Sequence, residues 1–363
     1  MKRNKQGQQM DLNRSRKSRR MLRVNPTITP NRSSDQKIII SIYTYNVQEV
    51  QIVNLSRVED CFKYLNITDA ISWINIDGLD KENINTISKH FGIHPLFAED
   101  ILSIGQRPKM DELNNLLFAL LNMLYYNEAE QSVESEQLSI VLGKNFVLSF
   151  QQDVTRDLFD PIREKLKQAG SKLRISNSDY LFYSMLDMIV DHYFIIMEKL
   201  GERIEDLEED ITHTPDTQTL GKINAMRKEM MFLRRSVSPV REVINGILRS
   251  ESELIEDRTE KYFKDVYDHI VQANELAENY RDMMINLQDL YLSNVNLKMN
   301  EVMKVMAVVT CLLAPATVIG GIFGMNFGKI PFTDNPVGFY LAVGFMLIVP
   351  IIMIWIFRKR GWF

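Results

Sequence analysis

Val305-Met-Ala-Val-Val-Thr-Cys-Leu-Leu-Ala-Pro-Ala-Thr-Val-Ile-Gly-Gly-Ile-Phe323 is a run of 19 residues without a charge, and Val337 to Phe357 is a second of 21. A helix rises about 1.5 Å per residue, so each run crosses a hydrocarbon core of about 30 Å. Between them lies a short polar loop that begins Gly324-Met325-Asn326. The residues before 300 read as soluble, so the chain reads as a soluble body closed by a transmembrane hairpin.

The flanks set the orientation of the hairpin. Lys298 and Lys304 precede the first run and Arg358-Lys359-Arg360 follow the second, while the loop holds only Lys329 against Asp334. Positive residues stay on the cytoplasmic side, so both termini are expected inside and the loop 324–336 outside. Trp355 and Trp362 fall near the inner end of the second span, where interfacial aromatics are expected. Span one carries Thr310, Pro315, Thr317, Gly320 and Gly321, small or weakly polar residues suited to close packing or a water-lined path. Span two is dominated by Leu, Ile, Val, Met and Phe and reads as lipid-facing. Two helices cannot enclose a conduit, so a path requires several copies of span one and hence a cyclic homo-oligomer. Asn300 lies just below span one and Asn326 just above it, with Thr317 between. Neutral oxygens of this kind suit an ion that keeps its water, as Mg2+ does. The residues alone fit either such a path or a two-span anchor.

Of 363 residues, 25% are charged and 45% apolar, and the net charge is −4. That charge is uneven: residues 1–36 hold ten Lys/Arg against Asp11 and Asp35, net +8, which leaves −12 for the remainder. The arm 1–36 reads as disordered and basic, either an electrostatic tether to anionic lipid or a solvated tail. Its cations lack interleaved aromatics, so no nucleic acid is expected. It lacks an apolar segment, so it is not read as a secretory signal. Cys61 and Cys311 are the only cysteines. They make no disulfide framework, as in a reducing compartment.

Residues 37–170 read as one α/β or α+β domain. Strands are expected at 38–43, 71–76, 116–126, 137–142 and 146–150, with a tight turn at Gly143-Lys144-Asn145. Helices are expected from Lys81 to Phe91, stopped by Gly92, from Pro95 to Leu102, and from Asp160 to Gln168. Residues 178–250 read as an antiparallel helical hairpin, with arms 179–210 and 217–247, a tip near Pro215 and a kink or break at Pro239. From 251 to 323 one stalk helix is expected to run into span one. Its apolar residues at 263, 266, 270, 273, 277, 280, 284, 287 and 291 alternate gaps of three and four, the spacing of a helix seam.

Gly324-Met325-Asn326 between two C-terminal spans resembles the signature of the CorA family of divalent-cation transport proteins. The resemblance extends to 291–304, to Lys261-Tyr-Phe-Lys-Asp-Val-Tyr-Asp-His269, and to His94-Pro-Leu-Phe-Ala-Glu-Asp-Ile-Leu102 with Gln106-Arg-Pro-Lys109. It covers roughly residues 38–363 in the right order. It implies a funnel-shaped homopentamer in an inner membrane, with an α+β cytosolic domain, a helical hairpin, the long stalk and two C-terminal transmembrane helices. Gly324, Met325 and Asn326 would form the outer selectivity ring. Asn300, Met306, Ala314, Thr317, Gly321 and Gly324 match pore-lining positions, Met306 at the hydrophobic gate and Ala314 where a bulkier Met can occur. Glu99, Asp100 and Asp265 match intersubunit sites where cytosolic Mg2+ holds the pore closed. The transported ions implied are Mg2+, Co2+ and Ni2+, with Mg2+ also regulatory and no organic cofactor.

One departure stands in the loop, where no acid follows Asn326 until Asp334. A zinc-transporting branch (ZntB) shares the tripeptide and differs in that loop, so a zinc transporter is the alternative. A membrane-tethered sensor or enzyme is the remoter one, and no nucleophile elbow, phosphate-cradling Gly loop, HExxH or CxxC supports it. Glu202, Glu205, Asp206, Glu208, Glu209 and Asp210 read as a solvated helix end or a cation attractor, with no site assigned. The histidines 90, 94, 192, 213 and 269 show no metal-ligand spacing and read as structural.

Overall fold

The computed structural model describes residues 38–62, 70–153, 157–213, 216–325 and 336–362. The basic arm, the hairpin tip at Pro215, Asn326 and the rest of the outer loop through 335 lie outside the described residues.

Seven strands form one mixed sheet, β1 (Ile39–Tyr45), β2 (Val50–Leu55), β3 (Ile71–Asp77), β4 (Lys109–Leu113), β5 (Leu116–Asn127), β6 (Ser132–Gly143) and β7 (Phe146–Gln151). Their order is β2-β1-β3-β7-β6-β5-β4, and β3 with β7 is the one parallel pair. The five expected strands are present, and β2 and β4 are additional. Both additions are edge strands without a fully buried residue, so their sequences need no continuous apolar face. Asn114 and Asn115 join β4 to β5 with φ of 57° and 58°. Two successive left-handed residues match the twist of a two-residue hairpin, and Asn tolerates that region better than most. Gly143 pairs with Phe146 across the expected tight turn.

Short helices cover the sheet: α1 (Val58–Cys61), α2 (Lys81–Phe91), α3 (Pro95–Leu102), α4 (Asp160–Lys167) and α5 (Lys172–Ile175). Asp80 starts α2 by accepting from the N–H groups of Glu82 and Asn83 at 3.0 and 3.2 Å. Gly92 ends it in the left-handed conformation, φ 68°. Ile84, Ile87, Phe97 and Ile101 of α2 and α3 pack with Ile40, Ile42, Ile74, Ile76, Phe118, Leu148 and Phe150 in a closed core. The sheet also buries a polar chain. Trp73 Nε1 donates to Ser149 Oγ at 2.9 Å, Ser149 donates to Asn75 Oδ1 at 2.6 Å, and Asn75 donates to Asp77 Oδ1 at 3.0 Å.

Three long helices and a last one follow: α6 (Ser178–His213), α7 (Thr217–Arg249), α8 (Asp257–Phe323) and α9 (Pro336–Lys359). Ser178 Oγ donates to the carbonyls of Gly143 and Lys144, each at 2.9 Å, and so ties the start of α6 to the β6–β7 turn. Tyr193 Oη donates to Asn122 O at 2.6 Å further along. Gly201 allows a close approach, because a Cβ there would meet Tyr280 Oη at 2.7 Å.

Two expectations are corrected. Pro239 does not break α7, which continues as one helix to Arg249. Its neighbours Val237, Val240, Val243 and Ile244 are buried, and that packing outweighs a proline cost of about 3 kcal/mol. The stalk helix starts at Asp257 and not at 251. Buried Asp179 accepts from Glu256 N at 3.0 Å, which caps the chain just before the helix. Eight of the nine seam residues are buried, and Tyr280 is half-buried.

By compactness the chain divides into residues up to 205 with 224–284, and residues 206–223 with 285 onward. In the second unit, Tyr291 Oη donates to Asp216 O at 3.0 Å and Asn294 Nδ2 donates to Ile211 O at 3.1 Å. Among the described residues, three helices are long and apolar enough to cross a membrane. In α6, 56% of the apolar window is buried within the described fold, against 6% for α8 and α9. α6 therefore has its apolar surface covered by protein, and the two C-terminal helices do not.

Candidate functional site

The helix α8 runs without a break from Asn300 through span one, and Gly324 N donates to Gly320 O at 2.9 Å, extending the ladder by one residue. At 3.6 residues per turn, Asn300, Met306, Ala314, Thr317, Gly321 and Gly324 therefore fall within an arc of about 120°. All six are exposed. Val308 is the one buried residue between 301 and 323, and it lies on the other side of the helix. That other side faces span two. Gly320 comes within 4.0 Å of Met346 Cε if given a Cβ, and Ile319 and Phe323 line an apolar groove with Leu341, Ala342 and Phe345.

The exposed arc holds no ionisable group. Thr317 Oγ1 donates to Leu313 O at 3.0 Å, which satisfies its own proton inside the helix and leaves its oxygen lone pairs outward. A Cβ on Gly321 would meet nothing within 4 Å, so this face is open in one chain. Asn326, the third member of the expected outer ring, lies outside the described residues.

The three expected regulatory acids occupy separate settings in one chain. Glu99 is exposed near the end of α3. Asp100 Oδ2 sits 2.5 Å from Lys109 Nζ, with the Asp100 side chain 13% exposed. Gln137 Nε2 donates to the Asp100 carbonyl at 3.0 Å and fixes the backbone there. Asp265 is exposed on α8, and its charge adds to the field on Asp187. No hydrogen bond or ion pair joins Glu99 or Asp100 to Asp265 among the described residues.

A cluster beside Asp265 was not foreseen from the sequence. Ligand atoms of Asp187, Asp191 and His269 lie within 4.8 Å of one another. Burial pushes the Asp187 carboxyl up, and Asp191 and Asp265 push it further, while the Tyr183 hydroxyl and His269 oppose them. Tyr183 Oη donates to Asp187 Oδ2 at 3.2 Å. A cation would relieve that repulsion; two carboxylates suit a divalent ion, and the imidazole beside them favours a transition metal over Mg2+. His269 belongs to this cluster, and His94 has a structural role in capping α3, its Nδ1 accepting from Leu96 N at 3.3 Å. The missed signal is a pair of i, i+4 spacings, Asp187 with Asp191 and Asp265 with His269.

The family described as CorA-like Mg2+ transporter protein matches residues 68–359. The chain belongs to the CorA family. Its members are transporters and not enzymes, and this CorA-family chain has their C-terminal apolar helices. The cobalt/magnesium transport protein CorA of Thermotoga maritima is 36% identical over 324 residues, 89% of this chain and 92% of that protein. A putative metal ion transporter, YfjQ, of Bacillus subtilis is 29% identical over 328 residues, 90% of this chain and 98% of that one. The complete structure of the CorA magnesium transporter from Methanocaldococcus jannaschii shares the fold, with a TM-score of 0.73 over 90% of this chain and 99% of that one, at 24% identity.

Proposed function

We propose that this CorA-family protein is a homopentameric channel through which Mg2+, and with it Co2+ and Ni2+, enters the cytoplasm down its electrochemical gradient. The observation that carries the reading is the uncharged, exposed arc from Asn300 to Gly324, opposite the side that meets span two. Five such arcs around an axis make a path lined by amide, hydroxyl and backbone oxygens. Mg2+ dehydrates reluctantly, and neutral oxygens hydrogen-bond its water shell without stripping it. Both termini are cytoplasmic, Asn326 forms the outer ring, and lipid surrounds span two.

Internal Mg2+ closes the channel by binding carboxylates between subunits. Glu99 and Asp100 of one subunit meet Asp265 of the next, and Asp187, Asp191 and His269 deepen the site behind Asp265. Empty, these acids repel; occupied, they clamp the closed state, so the transported ion is its own inhibitor by linkage. In liposomes, Asn326→Ala is expected to abolish Mg2+ uptake, and undiminished flux removes the assignment.

A second reading, a zinc transporter, draws on the absence of an acid between Asn326 and Asp334. Paired Mg2+ and Zn2+ flux measurements, with and without a proton gradient, separate the two. Zn2+ flux that needs the gradient, together with no Mg2+ flux, selects the zinc reading.

A further inference from the structure

The helix α7 is an island of positive charge in an acidic body. It carries seven Lys/Arg against Glu229 and Glu242, net +5, although residues 37–363 together are −12. Part of this charge is used locally, in Arg203 with Glu229 at 2.6 Å and Lys222 with Asp210 at 2.5 Å. The middle of the helix is different. Arg234 Nε lies 2.7 Å from Glu278, but Glu278 is shared with Arg281 at 2.7 Å. Arg235 has no ion pair among the described residues.

Arg234 and Arg235 border a groove of about 720 Å3 between α7, the sheet and the segment 105–108. Its opposite wall carries Arg107, exposed and also without an ion pair among the described residues. Of the Gln106-Arg-Pro-Lys109 motif, Lys109 is engaged by Asp100, and Arg107 is left facing this groove. Exposed Ser135 also lines the groove and offers a hydroxyl donor. Met231, 64% exposed, and half-buried Phe232 add apolar lining.

Guanidinium groups without carboxylate partners match phosphate oxygens in a bidentate fork. A volume in the range of small-molecule sites exceeds what inorganic phosphate needs. An exposed methionine beside a phenylalanine offers a soft apolar contact to a flat ring. We propose that this groove binds a nucleoside polyphosphate, with the phosphates on Arg107 and Arg235 and the base against Met231 and Phe232. The site is separate from the ion path, and its test does not depend on which ion is carried.

The test is isothermal titration of the full-length protein in detergent with ATP and with inorganic tripolyphosphate, both in EDTA. ATP is expected to saturate one site per chain, and Arg107→Gln with Arg235→Gln is expected to weaken it tenfold or more. Met231→Ala is expected to weaken ATP several-fold and leave tripolyphosphate unchanged. Both arginines are exposed, so the melting temperature of the double variant is expected to match the wild type. Absence of ATP binding, or wild-type affinity in the double variant, overturns the proposal. Tripolyphosphate binding as tight as ATP overturns the nucleotide assignment in favour of a general anion patch.

Discussion

His269 Nδ1 lies 3.5 Å from Asp191 Oδ1, across the gap between α8 and α6, without completing a hydrogen bond. An imidazole and a carboxylate held this close but not bonded have room for an ion to bridge them. With half-buried Asp187 beside them, the pair forms part of the proposed closing site. Asp187→Asn is expected to raise the internal Mg2+ needed for half-closure about tenfold. Asp265→Lys is expected to do the same or more. Both are read from Mg2+ efflux traces of proteoliposomes, and unchanged closure in both variants discards the sensor.

In the proposed closing site, Lys109 and a cation would compete for Asp100. The Lys109 ammonium, 2.5 Å away, balances the charge of that carboxylate. Lys109→Ala removes the competitor, so the channel is expected to close at several-fold lower internal Mg2+. The same titration shows it, and a shift to higher Mg2+ contradicts the competition.

Gly321 has open space where its Cβ would stand, yet it lies on the proposed pore face. Gly321→Phe is therefore expected to fold as one chain folds and to block flux. Ile356→Phe, on the exposed surface of α9, is expected to leave flux near wild type. If both variants conduct normally, the face chosen for the path is wrong.

Asp77 supplies a pH dependence in the sheet. Burial raises its carboxyl from 3.8 to about 6, against opposing contributions from Gln151, Asn75 and Arg163. An acid whose folded pKa is raised stabilises the fold fully below its unfolded pKa and loses that contribution as pH rises through about 6. The loss is on the order of 3 kcal/mol, at about 1.4 kcal/mol per unit. Asp77→Asn is expected to melt several degrees higher than wild type at pH 7.5 and to match it near pH 4. A variant that melts lower at pH 7.5 shows that the carboxylate is tolerated where it stands.

Local signals carried most of the architecture. Gly92 and Pro95 mark their helix ends in the sequence because such signals act within one turn, and the structure puts those ends at the same residues. The seam from Phe263 to Tyr291 was legible because spacing alone determines which residues share a helix face. The start of α8 was not, since Asp179 caps it from 77 residues away and nothing between Ser250 and Asp257 forbids a helix. Edge strands β2 and β4 escaped because a polar strand pairs through its backbone. The cluster of Asp187, Asp191 and His269 is two ordinary helical spacings until α6 and α8 are brought face to face.

The arc from Asn300 to Gly324 has nothing that titrates near neutral pH and nothing that holds a bare ion. An aqua complex passing such a wall meets shallow wells only, so each ion leaves about as readily as it enters. Flux through the proposed channel, once open, is then expected to grow in proportion to external concentration and to show no titration of the wall itself near neutral pH. On the proposed reading, throughput belongs to the wall and the decision to stop to the carboxylates.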